Sequence, residues 1–307
     1  MRAPLKNSGI GGSSRKATGI ALAGAVLFGA ALMGSAGSAS AAALLFNDFS
    51  STAGLQLNGV TAAINTGGAG TTDLHGHNVL RLTNSTGQSG SAFSTTAISL
   101  DQNASFSTAF TFHFTDQQNG GADGIVFVVQ TVSNTAGGGG GGIGYDGLTN
   151  SVGIEFDNWN NGGIDGNSAN HVGINLGGSV NSVARSTAIP SLDSGDTFTA
   201  WVDYDGATDI LEVRANTTGV RPGAALLSYT VDLVAELGQT DAFVGFTSGT
   251  GSAGADHDIL SWQFNSTFDP IEEIGEIPEP MSLALFGLGL AGIPILRRQI
   301  DRRRERR

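Results

Sequence analysis

The feature that most constrains this chain is a two-residue alternation in short runs. Residues 105–114 read SFSTAFTFHF, so Phe106, Thr108, Phe110, Phe112 and Phe114 share one side while Ser105, Ser107, Thr111 and His113 share the other. Successive side chains of a strand point to opposite faces, and this pattern predicts a half-buried strand. Similar runs recur at 79–83, 125–130, 152–156, 171–176, 198–204, 210–215, 227–231, 242–246 and 259–264. Clusters of Gly, Asn, Asp and Ser separate them, as turn chemistry requires. No segment between the ends of the chain sustains a helical period, and 233–237 has room for one helical turn. About a dozen strands in some 225 residues predict an all-β fold, a sandwich of two antiparallel sheets of jelly-roll type. A core of that size can form without disulfides. The 307 residues include no Cys, which also excludes a thiolate metal site and a Cys nucleophile.

The ends read as addresses. Residues 1–41 join Arg2, Lys6, Arg15 and Lys16 to an apolar run at 19–34 and to Ala39-Ser40-Ala41, an A-x-A cleavage site. A secretory signal peptide with a signal helix is expected there. At the other end Pro278-Glu279-Pro280 precedes MSLALFGLGLAGIPIL, and an Arg cluster follows. The apolar stretch, 281–296, is a little shorter than the roughly 17–25 residues of a spanning helix. It is expected as a transmembrane helix with its basic flank in the cytoplasm. The tripartite tail, 278–307, resembles the PEP-CTERM sorting signal. That resemblance implies a Gram-negative bacterium, transient anchoring in the inner membrane, tail removal by an exosortase, and delivery to the cell surface or extracellular matrix. Residues 269–277 are expected as an acidic spacer, which leaves 42–268 as the folded domain.

The charge is distributed unevenly. Between 42 and 296 the basic residues are Arg81, Arg185, Arg214 and Arg221 alone. Of the 27 acidic residues only Asp301 and Glu305 lie beyond 296. Such a domain repels phosphate backbones and attracts divalent cations, so nucleic acid is not an expected partner.

The residues that carry chemistry lie between 123 and 171. Glu155 and Asp157 are two apart on a strand, hence on one face and about 6.6 Å apart at roughly 3.3 Å per residue. Carboxylates that close repel unless a cation lies between them. Trp159, Asn161 and Asp165 follow on the loop NWNNGGIDGN, which can bend carboxylate, amide and backbone oxygens around a hard ion. His171 opens the next strand. An imidazole among carboxylates suggests a second, borderline metal, so two adjacent cations with Asp157 and Asp165 bridging are expected. A lone Asp in so acidic a chain is ordinarily solvated, and a lone His or Trp beside a strand is ordinarily structural. The order in which they occur together carries the reading. The glycine run at 137–142 is expected as a binding loop beside this site.

Here the residues resemble the legume-type (L-type) lectins. Ala122-Asp123-Gly124-Ile125-Val126-Phe127 is similar to that family's ADG motif, and Asn150-Ser151-Val152-Gly153-Ile154-Glu155-Phe156-Asp157 to its NSVAVEFD strand. His171-Val172-Gly173-Ile174, Trp201-Val202-Asp203-Tyr204-Asp205, Val244-Gly245-Phe246 and His257-Asp258-Ile259-Leu260-Ser261-Trp262 resemble further strands, in the family's order. The resemblance implies a concanavalin-like sandwich. It implies that Glu155 and His171 hold a transition metal, usually Mn2+, and that Asp157 and Asp165 are shared with Ca2+. Calcium would also take the Trp159 carbonyl and the Asn161 side chain. Asp123 and Asn161 would bond sugar hydroxyls, a Gly amide at Gly142 would add a third bond, and Trp159 would stack on the sugar. The Ala122–Asp123 peptide would be cis, the loop 247–256 would finish the pocket, and pairing through back sheets would give a homodimer. Departures are Asn158 in place of the usual Thr, Asn175 in place of Asp, a Ser179 displaced by one position, and a spacing from Asp165 to His171 one shorter than in plant members.

The chain is not expected to be an enzyme. Glucanases on the same sandwich need a second Glu where this chain has Trp159 or Asn160, and neither can protonate a leaving group. Asp256-His257-Asp258 reads as loop chemistry bordering the pocket. The expected function is a surface-sorted lectin that binds a glycan or exopolysaccharide through a metal-organised site. The alternative is a structural matrix protein on the same scaffold without sugar binding.

Overall fold

The phenylalanine stripe ends up inside, as the alternation requires. The computed structural model describes residues 43–65, 78–137 and 140–274. The expected signal peptide, the sorting tail and its membrane helix lie outside the described residues. In chain order the strands are β1 (Ala43–Phe46), β2 (Leu55–Gly59), β3 (Ala62–Asn65), β4 (Asn78–Thr83), β5 (Ser89–Ser94), β6 (Ile98–Ser99), β7 (Phe106–Gln118) and β8 (Gly124–Gln130). They continue with β9 (Ser151–Asp157), β10 (His171–Leu176), β11 (Ala184–Ser186), β12 (Phe198–Asp205), β13 (Ile210–Asn216), β14 (Leu227–Thr230), β15 (Asp241–Gly249) and β16 (Gly254–Asn265). One helical turn, α1 (Leu233–Leu237), falls where the sequence has room for it, capped by the Asp232 side chain accepting from the Ala235 N–H.

The strands form two antiparallel sheets of eight. The back sheet runs β14-β13-β12-β7-β16-β4-β3 with β1 also on β16, and the front sheet runs β11-β10-β9-β8-β15-β5-β2 with β6 on β15. Phe106, Phe110, Phe112 and Phe114 of β7 fill the space between them. Phe112 meets Phe156 of the front sheet at 4.8 Å between centroids, and Phe110 meets Phe246 edge-on at 4.9 Å. Thr108, the one polar residue of that face, accepts from the buried Trp262 indole N–H at 2.9 Å and donates to the Gln263 carbonyl. The buried aromatic surface supplies the main driving force, and every indole or hydroxyl it carries inward needs a partner.

β8 is buried at every position, which its unbroken apolar run IVFVV requires. Ile125, Phe127 and Val129 face the inter-sheet core, whereas Val126 and Val128 pack under Ile143, Tyr145 and Leu148. The connection from β8 to β9 therefore folds over the front sheet's outer face and walls the site described below.

Several expectations are corrected. β1, β2, β3, β5, β6 and β11 were not readable as alternating runs; β5, for instance, reads SGSAFS, and its small polar residues are buried by their neighbours. The expected loop 247–256 is mostly strand. β15 continues to Gly249 and β16 begins at Gly254, because the Thr247 and Ser248 hydroxyls donate to the Ile143 and Gly124 carbonyls and so fit inside the sheet. Asp256, His257 and Asp258 are strand residues as well. His257 points between the sheets, where its Nδ1 lies 2.7 Å from Thr83 Oγ1. Asp256 and Asp258 point outward to Arg81, at 2.6 Å from NH1 and 2.7 Å from NH2 respectively. Residues 269–274, read as spacer, lie on the back sheet: Ile271 is buried and packs with Ile274 against Trp201 and Ala109, and the Asp269 N–H donates to Ser107 Oγ.

Candidate functional site

The front sheet assembles the site by register. Asp157 stands opposite His171 of β10 and Gly124 of β8, and Glu155 stands opposite Gly173 and Val126. Glu155 and Asp157 thus leave β9 on the outer face, while Phe156 between them enters the core. One ligand atom each from Glu155, Asp157 and His171 lie within 4.8 Å of one another, and all three residues are buried. A Cβ on Gly173 would sit 2.4 Å from Glu155 Oε1, so only glycine leaves the carboxylate its place there.

Glu155 is held from three sides. Its Oε1 lies 3.0 Å from His171 Nε2 and accepts from Ser182 Oγ, and its Oε2 accepts from Asn175 Nδ2 at 2.5 Å. Ser179, noted as displaced by one position, accepts from the Asn181 N–H. Ser182 was missed, because only the length of the turn after β10 decides which serine reaches the carboxylate. Asn175, noted as a departure, serves as a donor to Glu155.

The loop after β9 curls back on itself. The Trp159 N–H donates to Asp157 Oδ1 at 2.7 Å, and the Asn161 N–H donates to Asp165 Oδ2. Asp165 closes a single turn of 3-10 helix, Gly162–Asp165, and is buried. Asp123 enters from the β7–β8 connection after a cis Ala122–Asp123 peptide. Its carbonyl accepts from the Asn158 N–H at 3.3 Å, and its carboxylate bonds the Asn161 side chain. A Cβ on Gly251 would lie 3.8 Å from Asp123 Oδ2, so the β15–β16 turn borders the same carboxylate. Trp159 lies alongside: a Cβ on Gly120 would sit 3.6 Å from its Cζ3. In the glycine run, the residue against Asn161 is Gly141, where a Cβ would lie 2.7 Å from Asn161 Nδ2. The Gly142 carbonyl accepts from the Tyr145 and Asp146 N–H groups instead.

The electrostatics are those of a cluster short of positive charge. Burial pushes the Asp157 carboxyl up to about 9; the Trp159 N–H opposes this, and the charges of Glu155, Asp165 and Asp123 add to it. Burial likewise pushes Asp123 up to about 6, against hydrogen bonds from Asn161 and Gly251. Asp165 is raised by burial too, and the Asn161 N–H and then His171 work against it. Asp123 Oδ2, Asn161 Oδ1 and His171 Nδ1 are buried without hydrogen-bond partners. Oxygen-rich donors around one imidazole, mutual repulsion and unsatisfied polar atoms together fit a site that can hold metal ions.

A model of the legume lectin domain matches residues 42–280, and one of the PEP-CTERM protein-sorting motif matches 276–304. Agglutinin-2 of Cladrastis kentukea is 33% identical over 175 residues, 53% of this chain and 58% of that protein. The L-type lectin-domain containing receptor kinase VIII.1 of Arabidopsis thaliana is 30% identical over 171 residues, again 53% of this chain. The chain spans only 24% of that kinase's length. Among solved structures, the lectin of Bauhinia forficata in complex with GalNAc superposes with a TM-score of 0.63 at 25% identity, covering 75% of this chain and 99% of that one. The sorting motif marks the chain for export. With an all-β sandwich, the match over residues 42–280 and a front-sheet cluster of residues that could hold a metal ion, this chain belongs to the legume lectin family.

Proposed function

We propose that the chain binds carbohydrate at the front-sheet site, organised by a calcium ion and a transition metal such as manganese. One observation supports this most: Glu155, Asp157, Asp165 and His171 converge beside Asp123 and Asn161, with buried oxygens of those two lacking partners. Glu155 and His171 would hold the transition metal, Asp157 and Asp165 would be shared, and calcium would add the Trp159 carbonyl and the Asn161 side chain. The ions would supply positive charge that ionises Asp157 and stiffens the loop. Asp123 would then accept from one sugar hydroxyl and Asn161 donate to another. Trp159 would give the sugar's apolar face a surface, and an amide of the 140–142 turn, at Gly141 or Gly142, would add a donor.

The expected destination is the cell surface or extracellular matrix, after passage through the inner membrane and release by an exosortase, with a glycan or exopolysaccharide as partner. A homodimer through the back sheets would have to accommodate residues 269–274 where they cover Trp201. A glycan array tests the function. Binding in calcium and manganese that vanishes with a chelator and returns with calcium is the expected result. A blank array with both ions present removes the reading. If the exported Asp123→Ala variant stays in the matrix as the unaltered chain does, a structural matrix role takes its place.

A further inference from the structure

A polar knot lies behind the loop that carries Asp123, and neither the metal nor the sugar roles explain it. Asp193 belongs to a 3-10 turn, Leu192–Ser194, between β11 and β12. Asn158 Nδ2 donates to Asp193 Oδ1 at 2.7 Å, and Gln117 Nε2 donates to the Asp193 carbonyl at 2.8 Å. A Cβ on Gly121 would fall 2.8 Å from Asp193 Oδ1, so the carboxylate rests against the backbone two residues ahead of Asp123. The turn is fastened on its other side. Leu192 is buried in the inter-sheet core, and its N–H donates to Asn170 Oδ1 at 2.8 Å. A side chain fixed at its own base, bonded to Asn158 and resting against Gly121, transmits position to the loop it touches, while the Gln117 bond to the main-chain carbonyl holds the turn itself.

We propose that Asp193 is a positioning residue for sugar binding. It braces residues 118–123 against Asn158 and so sets where the Asp123 carboxylate meets the ligand. The proposal rests on Asp123 being a sugar contact. The hydrogen bonds of Asp193 run to Asn158 and Gln117, whereas the ion-holding carboxylates are fixed by Ser182, Asn175, Trp159 and Asn161. Its effect should therefore separate from metal binding.

The test uses the full-length chain loaded with calcium and manganese, with GalNAc as probe. Asp193→Ala is expected to weaken binding about tenfold, the scale of one charge-assisted hydrogen bond, with metal content unchanged. Amide exchange at 118–123 should quicken by a similar factor. Asp193→Asn keeps an acceptor for Asn158 and should stay within about twofold of the unaltered chain on both measures. Unaltered affinity and exchange in Asp193→Ala would overturn the proposal. Parallel loss of metal would overturn it too, as would an Asp193→Asn variant as weak as the alanine one. If the unaltered chain binds no GalNAc, the glycan array decides whether the sugar reading is at fault, and exchange at 118–123 in the two variants still decides whether the brace exists.

Discussion

Both sheets bury carboxylates on their outer faces, and the two faces treat them oppositely. On the back sheet, Asp258 takes the Nε and NH2 groups of Arg81 at 2.8 and 2.7 Å, and Asp256 takes NH1 at 2.6 Å. Asp203 takes Arg221 at 2.5 Å and Arg214 at 3.4 Å, and Glu212 takes Arg214 at 2.8 Å. Three of the domain's four arginines are used there. On the front sheet Glu155, Asp157, Asp165 and Asp123 gather with His171 alone among them. Arg185 donates instead to the Ile164 carbonyl and acts on Asp165 only at a distance. A buried carboxylate answered by arginine is part of the fold, whereas a group of them left unanswered has the chemistry of a site that can hold ions.

The comparison can be broken most forcefully at Arg81. Arg81→Met leaves Asp256 and Asp258 buried without their cation and is expected to cost about 3–5 kcal/mol in urea unfolding, with metal content unchanged. A cost below about 1 kcal/mol would erase the contrast between the faces. Asp157→Asn should do the reverse. It removes a metal ligand and a carboxyl that burial forces the fold to keep protonated, so metal affinity falls about 100-fold or more in calcium titrations, while the metal-free protein melts at a higher temperature than the unaltered one. If the metal-free variant melted lower, burial of the Asp157 carboxyl would not be what destabilises the front face.

His257, buried between the sheets, sharpens the comparison from a third side. Burial lowers its pKa to about 3, against the pull of Asp258. The folded state keeps it neutral while the unfolded chain protonates it near pH 6.5, so its contribution is complete above that pH and is lost as pH falls toward 3. At pH 4 the loss is about 3 kcal/mol, and the acid slope of urea unfolding should be shallower in His257→Gln. An identical slope would show that the acid sensitivity comes from elsewhere. The smallest effect is a proton count. With Asp157 held near 9, metal binding at pH 7 should release about one proton, and calcium affinity should climb between pH 6 and 9. Calorimetry in buffers of different ionisation enthalpy reads it directly, and zero release would mean that Asp157 is ionised before the ion arrives.

Much of the fold was legible because alternation is a local property. The Phe106–Phe114 stripe, the buried run of β8 and the 155/157 pair on one face follow from strand geometry whatever their neighbours are. Among the strands that escaped, β5 has Phe93 as its one large apolar residue and β11 has none, so neither shows an apolar alternation. The site was legible to the extent that its residues sit in strands of set phase: Glu155, Asp157 and His171 meet across a register the sequence implies. Ser182 and Asp193 were not legible, since turn lengths decide which hydroxyl or carboxylate arrives at Glu155 or at Gly121.

By itself, then, the sequence determined a cysteine-free two-sheet sandwich, an acidic domain between two basic ends, and which face of β9 carries its carboxylates. Only the tertiary structure decided which acidic residues are answered. Arg81 lies 177 residues from Asp258 in the chain, and they meet because β4 and β16 are neighbours in the back sheet. Charge is written residue by residue, but the partner of a buried charge is chosen by strand order and loop length, which no single segment contains.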